Sequence, residues 1–244
     1  MNELVVFNAH PATVIIIAGA VMVTPFHALA TYVFSGASAR KGLIIGAAFL
    51  VFGAVMAWVC LGNVPARGGP AGGAIVGVAW ILPSAVLIAF RRWFLAEPLS
   101  QKWLVGLQIW RVIGGLFLLE MARGHIPGSF AYPAGLGDIA VGVLALWVLL
   151  AHRKRPDIAR RGVLAVLALG VLDFLGAFFF GNTSMPGPMQ LFPSDRPNLL
   201  LQYPTGMIPL FLVPYAIFFH TLSWLTLRQQ AATPTQRPRT PGHV

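Results

Sequence analysis

Long apolar runs separated by short polar connections dominate the sequence. A helix needs about 20 apolar residues to cross the ~30 Å hydrocarbon core of a membrane. Seven runs are of this order, and they are too long and too continuous to be strands of a membrane barrel. The pattern therefore predicts an all-α polytopic bundle with seven transmembrane helices, at about residues 14–34, 43–62, 73–90, 102–122, 135–152, 161–181 and 205–227.

Composition supports this assignment and leaves little chain for a soluble domain. Of the 244 residues, 57% are hydrophobic and only 10% are charged, whereas a soluble domain is about a quarter charged. We predict one transmembrane helical domain over residues 1–228. The last stretch, 229–244, is rich in Thr, Pro and Gln, which predicts a disordered cytoplasmic tail.

The net charge of +10 is distributed unevenly between the two ends of the predicted bundle. Thirteen basic residues fall at one end: Arg40, Lys41, Arg91, Arg92, Lys102, Arg153, Lys154, Arg155, Arg160, Arg161, Arg228, Arg237 and Arg239. Three fall at the other end: Arg67, Arg123 and Arg196. The positive-inside rule therefore predicts an external N-terminus and a cytoplasmic C-terminus. This uneven distribution argues against a nucleic-acid partner. It indicates membrane topology, with binding to the anionic headgroups of a lipid bilayer as a by-product.

Two predicted outer loops, 123–135 and 182–204, are longer and richer in Pro and Gly than the other connections. Long loops are either functional or disordered. The second contains several apolar residues, which predicts a lid packed over the helix ends. These residues are Met185, Met189, Leu191, Phe192 and Leu199–Leu201.

Four ionisable residues lie within or at the edge of the apolar segments, where a charge usually marks a functional interior: Arg111, Glu120, Asp138 and Asp173. Gln108 is one turn before Arg111 and shares its helix face. Arg111 and Asp173 are at similar depths, which predicts an interior ion pair. This pair either fixes helix packing or forms a gate or a site for an anionic substrate.

Glu120, Arg123, His125 and Asp138 are predicted to gather near the outer membrane surface. Asp138 is interpreted either as the N-cap of the fifth helix or as part of the mouth of an outward-opening site. The candidate substrate-binding residues are therefore Gln108, Arg111, Glu120, Asp138 and Asp173.

His27 and His220 lie at similar depths in the first and last predicted helices. They are either hydrogen-bonded core residues, ligands of a haem or metal, or parts of a proton relay. Cys60 is the single cysteine, so no cysteine metal cluster is expected, and the cofactor remains open.

The sequence lacks the glycine-rich phosphate loop, the His-Glu-x-x-His zinc motif, the Gly-x-Ser-x-Gly elbow and the Cys-x-x-Cys pair. Enzymatic activity is therefore undecided and less favoured than binding. The seventh predicted helix contains no lysine for a retinal Schiff base, which excludes a rhodopsin.

One stretch runs from Gln108-x-x-Arg111 through Pro127-x-x-Phe130 to Pro133-Ala-Gly-Leu-Gly-Asp138. Together with a last helix that contains Pro209, Pro214 and His220, it resembles uncharacterised bacterial seven-helix integral membrane proteins. The resemblance implies the inner (cytoplasmic) membrane of a bacterium. It implies no activity, ligand or catalytic residue.

Three hypotheses of function follow. The leading one is a multi-pass protein that binds or transports a small polar or anionic solute through an interior polar site. The first alternative is a membrane haem or redox protein that uses His27 and His220. The second is an intramembrane enzyme acting on a lipid-linked substrate, with Asp138 and Glu120 as its acid and base.

Overall fold

The computed structural model describes residues 7–67, 70–152 and 156–232, and this part of the chain contains helices but no strands. Seven helices are long and apolar enough to cross a membrane, as the sequence predicts. Their bounds are α1 Pro11–Val33, α2 Ala39–Leu61, α3 Pro70–Ala89, α4 Gln101–Ala122, α5 Gly128–His152, α6 Pro156–Thr183 and α7, a π-helical turn Ile208–Leu212 continued by the α-helix Val213–Ala232. One-turn helices at Val64–Arg67 and Arg91–Phe94 lie in two of the connections.

Helix α7 lies at the centre of the bundle. Of its most apolar stretch, 78% is buried, compared with 22% for α1 and α3. The outer helices instead expose large apolar side chains such as Phe26, Trp58 and Leu172. Such side chains suit contact with lipid tails, so the bundle is organised as a membrane protein around one buried helix.

Helix α5 begins at Gly128, seven residues before the start that the sequence predicts. The carbonyl of Pro127 accepts hydrogen bonds from the backbone of Phe130 and Ala131, so the helix starts directly after this proline. Pro133 is accommodated inside the helix, as is common in membrane helices. The expected outer loop 123–135 is therefore shorter, because its last eight residues are helical.

Helix α4 changes its winding in the middle. It is α-helical over Gln101–Gly106, forms a 3₁₀ helix over Leu107–Gly114, and returns to α-helix over Gly115–Ala122. The 3₁₀ segment packs closely on α5: a Cβ on Gly142 would lie only 3.0 Å from the backbone oxygen of Ile109. A mid-helix 3₁₀ segment often accompanies a functional site, and this one contains Arg111.

The connection of residues 184–207 packs back over the helix ends, at the end of the bundle that we call the loop end. The backbone N–H of Leu199 donates to the carbonyl of His125 over 3.0 Å, and Leu199–Leu201 are buried. The predicted packing is confirmed for these residues, while Met189 and Leu191 remain exposed. Of the predicted tail 229–244, residues up to Ala232 continue α7 and the rest lies outside the described residues.

Candidate functional site

The predicted ion pair between Arg111 and Asp173 is present, and Asp138 joins it. Arg111 donates from Nη2 to Asp173 Oδ2 and from Nε to Asp138 Oδ1, the latter over 2.7 Å. The Arg111 side chain is 1% exposed. We call these three residues the Arg111 triad; it joins α4, α5 and α6 through charge-assisted hydrogen bonds.

The triad lies near the middle of the bundle. Asp138 follows the start of α5 at Gly128 by ten residues, and Asp173 precedes the end of α6 at Thr183 by ten residues. At about 1.5 Å of rise per residue, both carboxylates lie roughly 15 Å below the loop end. This is about half the thickness of a ~30 Å hydrocarbon core.

Glycines next to the triad provide the space for its side chains. A side chain at Gly137 would collide with Asp173 Oδ1, and one at Gly114 would collide with Asp138. Three charged side chains can therefore meet between closely packed helices only because these positions carry no Cβ.

Several buried polar atoms beside the triad have no hydrogen-bond partner among residues 7–67, 70–152 and 156–232. They are Arg111 Nη1, His220 Nδ1 and both amide atoms of Gln108. A Cβ on Gly170 would lie 3.1 Å from Arg111 Nη1 and 3.3 Å from His220 Nδ1, so these two atoms border one small space. Buried polar groups normally have partners, which makes this region polar but incompletely satisfied by the protein.

A cavity of about 380 Å³ extends from the triad to the 184–207 connection. Asp138 and Asp173 contribute the charged groups of its lining in the described part of the chain. Ring side chains form much of the rest, and three amides complete the polar surface. These residues are Trp80, Phe117, Phe130, Phe174, Phe178, Asn182, Asn198 and Gln202. The volume suits a small organic solute.

The π-helical turn of α7 forms part of the cavity wall. In a π-turn the carbonyl of Pro209 would accept from the nitrogen of residue 214, but Pro214 has no N–H to donate. The indole of Trp80 donates to this carbonyl over 2.7 Å instead. Trp80 therefore satisfies an otherwise unpaired backbone group and is held in place against the cavity.

Glu120 belongs to a second buried cluster. Its Oε1 accepts from the backbone N–H of His10 over 3.0 Å and from the hydroxyl of Thr13. Its Oε2 lies 2.7 Å from His125 Nδ1 and 3.7 Å from Arg123 Nε. The Glu120 cluster thus joins the start of α1 to the end of α4, and Glu120 is absent from the described lining of the cavity.

The predicted gathering of Glu120, Arg123 and His125 is confirmed, but Asp138 is not a member of their cluster. The interpretation of Asp138 as an N-cap is also wrong, because α5 begins ten residues earlier. Asp138 consequently lies inside the bundle and pairs with Arg111.

The two histidines have separate hydrogen bonds. His27 Nδ1 pairs with the Tyr215 hydroxyl over 2.7 Å, and its Nε2 lies 3.2 Å from the Thr31 hydroxyl. His220 Nε2–H donates to the carbonyl of Leu167 over 2.7 Å. Three of the four ring nitrogens therefore have protein partners, and the described residues contain no group of three or more potential metal ligands. This geometry corresponds to hydrogen-bonded core histidines.

Sequence reasoning missed the aromatic and amide residues of the cavity. Aromatic side chains face lipid as well as the interior in this bundle, as Phe26 and Trp58 show, so Trp80 and Phe174 gave no distinctive signal. The three amides lie on or beside the 184–207 connection, where no helical period reports which side chains point inward.

The family model of a domain of unknown function, DUF8737, matches residues 71–228, which is more than half of the chain. The protein therefore belongs to this family. The matched region contains the whole Arg111 triad and the cavity residues of α3 to α7. Neither the curated proteins nor the solved structures yield a significant match.

Proposed function

We propose that this DUF8737 protein is a multi-pass protein of the bacterial cytoplasmic membrane that binds or transports a small polar solute in the cavity beside the Arg111 triad. The observation that carries the proposal is the cavity itself: about 380 Å³, with two carboxylates in its wall at mid-membrane depth. Ionised groups are costly at this depth and normally serve binding or translocation.

A purely structural ion pair would not need this arrangement. One carboxylate is sufficient to neutralise Arg111, yet two carboxylates share it. The second carboxylate adds the cost of another buried charge without a second protein cation. Both carboxylates also reach the cavity wall, where a solute supplies the missing partner.

Residue roles follow from this geometry. Asp138 and Asp173 contact the solute, and Arg111 holds both carboxylates in place. Gln108, one turn before Arg111, contributes an unpaired buried amide to the same region. Glu120 stays outside the site because the cavity does not reach it.

We also propose that the solute enters from outside the cell through the loop end. The basic residues at the opposite end favour the cytoplasm, and the 184–207 connection forms the outer wall of the cavity. Cysteine labelling tests this orientation in a Cys60→Ala background. An impermeant maleimide should label Asp195→Cys and not Arg91→Cys in intact cells; the reverse pattern would overturn the proposed entry side.

The binding site itself is tested by thermal-shift screening of small metabolites against purified protein. Ligands that stabilise the wild type should lose their effect in Asp173→Asn and in Ala177→Leu, which fills the cavity without changing its charge. Asp195→Asn, an exposed carboxylate outside the cavity, is the matched control. Ligands that stabilise all four proteins equally would place the site elsewhere.

A further inference from the structure

We propose that the solute is an organic cation with a positively charged nitrogen, and that its binding displaces a proton from the Asp138–Asp173 pair. The inference rests on the proposed function and assigns the chemical class of the solute. It also gives the protein a means of coupling solute binding to protons.

The charge of the triad supports a cationic ligand. Two carboxylates share one guanidinium, which leaves one negative charge in excess if both are ionised. An uncompensated charge in a low-dielectric interior is expensive. A proton on one carboxylate neutralises the empty site, and a cationic solute neutralises the loaded one.

The hydrogen bonds of the carboxylates leave a place for that cation. Asp138 uses Oδ1 and Asp173 uses Oδ2 to accept from Arg111. Within the described residues, the carboxylates accept hydrogen bonds only at these two oxygens. Asp138 Oδ2 and Asp173 Oδ1 lie against Gly114 and Gly137, and both side chains contribute to the cavity wall. A solute ammonium group in the cavity can therefore pair with the carboxylates from the cavity side without breaking the contacts to Arg111.

The remaining walls also favour a cation. Rings of Trp80, Phe117, Phe130 and Phe174 border the cavity, and ring faces attract positive charge. Phe174 already covers the Arg111 guanidinium, with Cζ 4.1 Å from the ring centroid. An anion would meet the two carboxylates, so the geometry favours a cationic solute over the anionic one that the sequence suggests.

Among the described residues, the other titratable group near the triad is His220 on α7. Its Nε2–H donates to Leu167, and its Nδ1 borders the same space as Arg111 Nη1. A proton on Nδ1 would place a second positive charge next to the guanidinium, which makes His220 a poor site for the exchanged proton. The described cavity residues of α3, α7 and the 184–207 connection contribute no further titratable side chain, which leaves the two carboxylates as the groups that exchange the proton.

The exchange balances without any other reactant. A carboxylic O–H bond of the Asp138–Asp173 pair breaks, the proton leaves through the cavity to bulk water, and the cation forms an ion pair with the new carboxylate. One positive charge enters as one leaves, and no electron is transferred.

Calorimetry on the full-length protein in detergent tests the inference, using choline and benzyltrimethylammonium as probes. The neutral carbon isostere of choline, 3,3-dimethylbutan-1-ol, and the anion benzoate are the matched comparisons. We expect the cations to bind at least about tenfold more tightly than either comparison compound. At pH values where the carboxylate pair carries a proton, the affinity of the cations should increase by up to about tenfold for each unit by which the pH is raised.

Titration in phosphate and in Tris at one pH counts the protons released, because the two buffers differ in ionisation enthalpy. The wild type should release up to one proton per cation bound. Asp173→Asn should weaken cation binding at least about tenfold and abolish the release, whereas Asp195→Asn should preserve both.

Two results would overturn the inference without removing the proposed function. One is tighter binding of the neutral or anionic compounds at a site blocked by Ala177→Leu. The other is cation binding with no proton release at any pH between about 5 and 9. If no compound of any charge binds in the cavity, the proposed function itself fails. The wild-type titrations need no variant, so a poorly folding Asp173→Asn cannot obscure the outcome.

Discussion

The two buried charged clusters balance their charges in opposite ways. In the Glu120 cluster one carboxylate receives a backbone N–H, a hydroxyl and two basic side chains. In the Arg111 triad one guanidinium is shared by two carboxylates. The Glu120 carboxylate has more hydrogen-bond donors and basic partners than its single negative charge requires. The two carboxylates of the Arg111 triad have only one basic partner between them in the described part of the chain.

This difference separates a structural role from a binding role. A carboxylate whose oxygens are both occupied by the protein, as in Glu120, gains nothing from a ligand and serves to hold two segments together. A carboxylate pair with free oxygens in a cavity wall has unused binding capacity. Burial of charge alone, which both clusters share, does not make this distinction.

The largest expected effect is the loss of the shared cation. Arg111→Gln leaves Asp138 and Asp173 without a protein counter-charge, and we expect the free energy of unfolding to fall by about 3–5 kcal/mol. Arg111→Gln combined with Asp173→Asn should recover part of this loss, since it removes one of the stranded carboxylates. Denaturant titration in mixed micelles measures both values. Strictly additive losses in the double variant would show that the two side chains are not coupled.

The next effect should come from the Glu120 cluster and should leave the cavity unchanged. Glu120→Gln keeps the shape of the side chain but removes its charge, while His125 and Arg123 stay partly exposed to water. We expect a loss of about 2–3 kcal/mol in the free energy of unfolding. Ligand affinity should stay within about twofold of the wild type, because the two clusters share no hydrogen-bond partner among the described residues and substitutions at such separate sites act independently. A loss of affinity as large as that of Asp173→Asn would remove the distinction between the clusters.

The sequence predicted the membrane architecture well because hydrocarbon imposes a simple requirement on it. Every backbone group must be paired within a helix of sufficient length, and apolar run length reports this directly. The same depth argument predicted the Arg111–Asp173 pair. It failed for Asp138, because Pro133 and the glycines around it look like a turn in water, whereas here they lie inside a helix.

The members of the triad were harder to predict from the sequence than its location in the bundle. A glycine lies three residues from Arg111, three residues from Asp173 and directly before Asp138; these are Gly114, Gly170 and Gly137. The presence of a glycine close to each charged residue indicated close helix packing at these positions. The cavity was not predictable, because its walls depend on how the π-turn of α7 and the 184–207 connection fold back on the bundle.

A smaller effect is expected from the close packing of the triad, and it should distinguish the Arg111 triad clearly from the Glu120 cluster. Gly137→Ala places a Cβ against Asp173 Oδ1, and after the gain in helix propensity we expect a net loss of about 1–2 kcal/mol. Cation affinity should fall as well, since Asp173 must move. Gly176→Ala in α6 is the matched control, because its Cβ would meet nothing within 4 Å. Equal behaviour of the two variants in unfolding and binding would show that the triad tolerates displacement.

The smallest effect concerns a single donor of the Glu120 cluster. Thr13→Val preserves the shape of a buried side chain and removes the hydroxyl that donates to Glu120 Oε1. Because the backbone of His10 and the ring of His125 still hold the carboxylate, we expect a loss of only about 1 kcal/mol in the free energy of unfolding.

Thr24→Val is the control: this hydroxyl is also buried in α1 but donates only to the carbonyl of Val21 in its own helix. Limited proteolysis should show earlier cleavage before α1 in Thr13→Val and not in Thr24→Val, because the lost contact anchors α1 to α4. Ligand affinity should be unchanged in both variants. If Thr13→Val instead weakened cation binding, the two clusters would be energetically linked, and excess charge would no longer identify the binding site on its own.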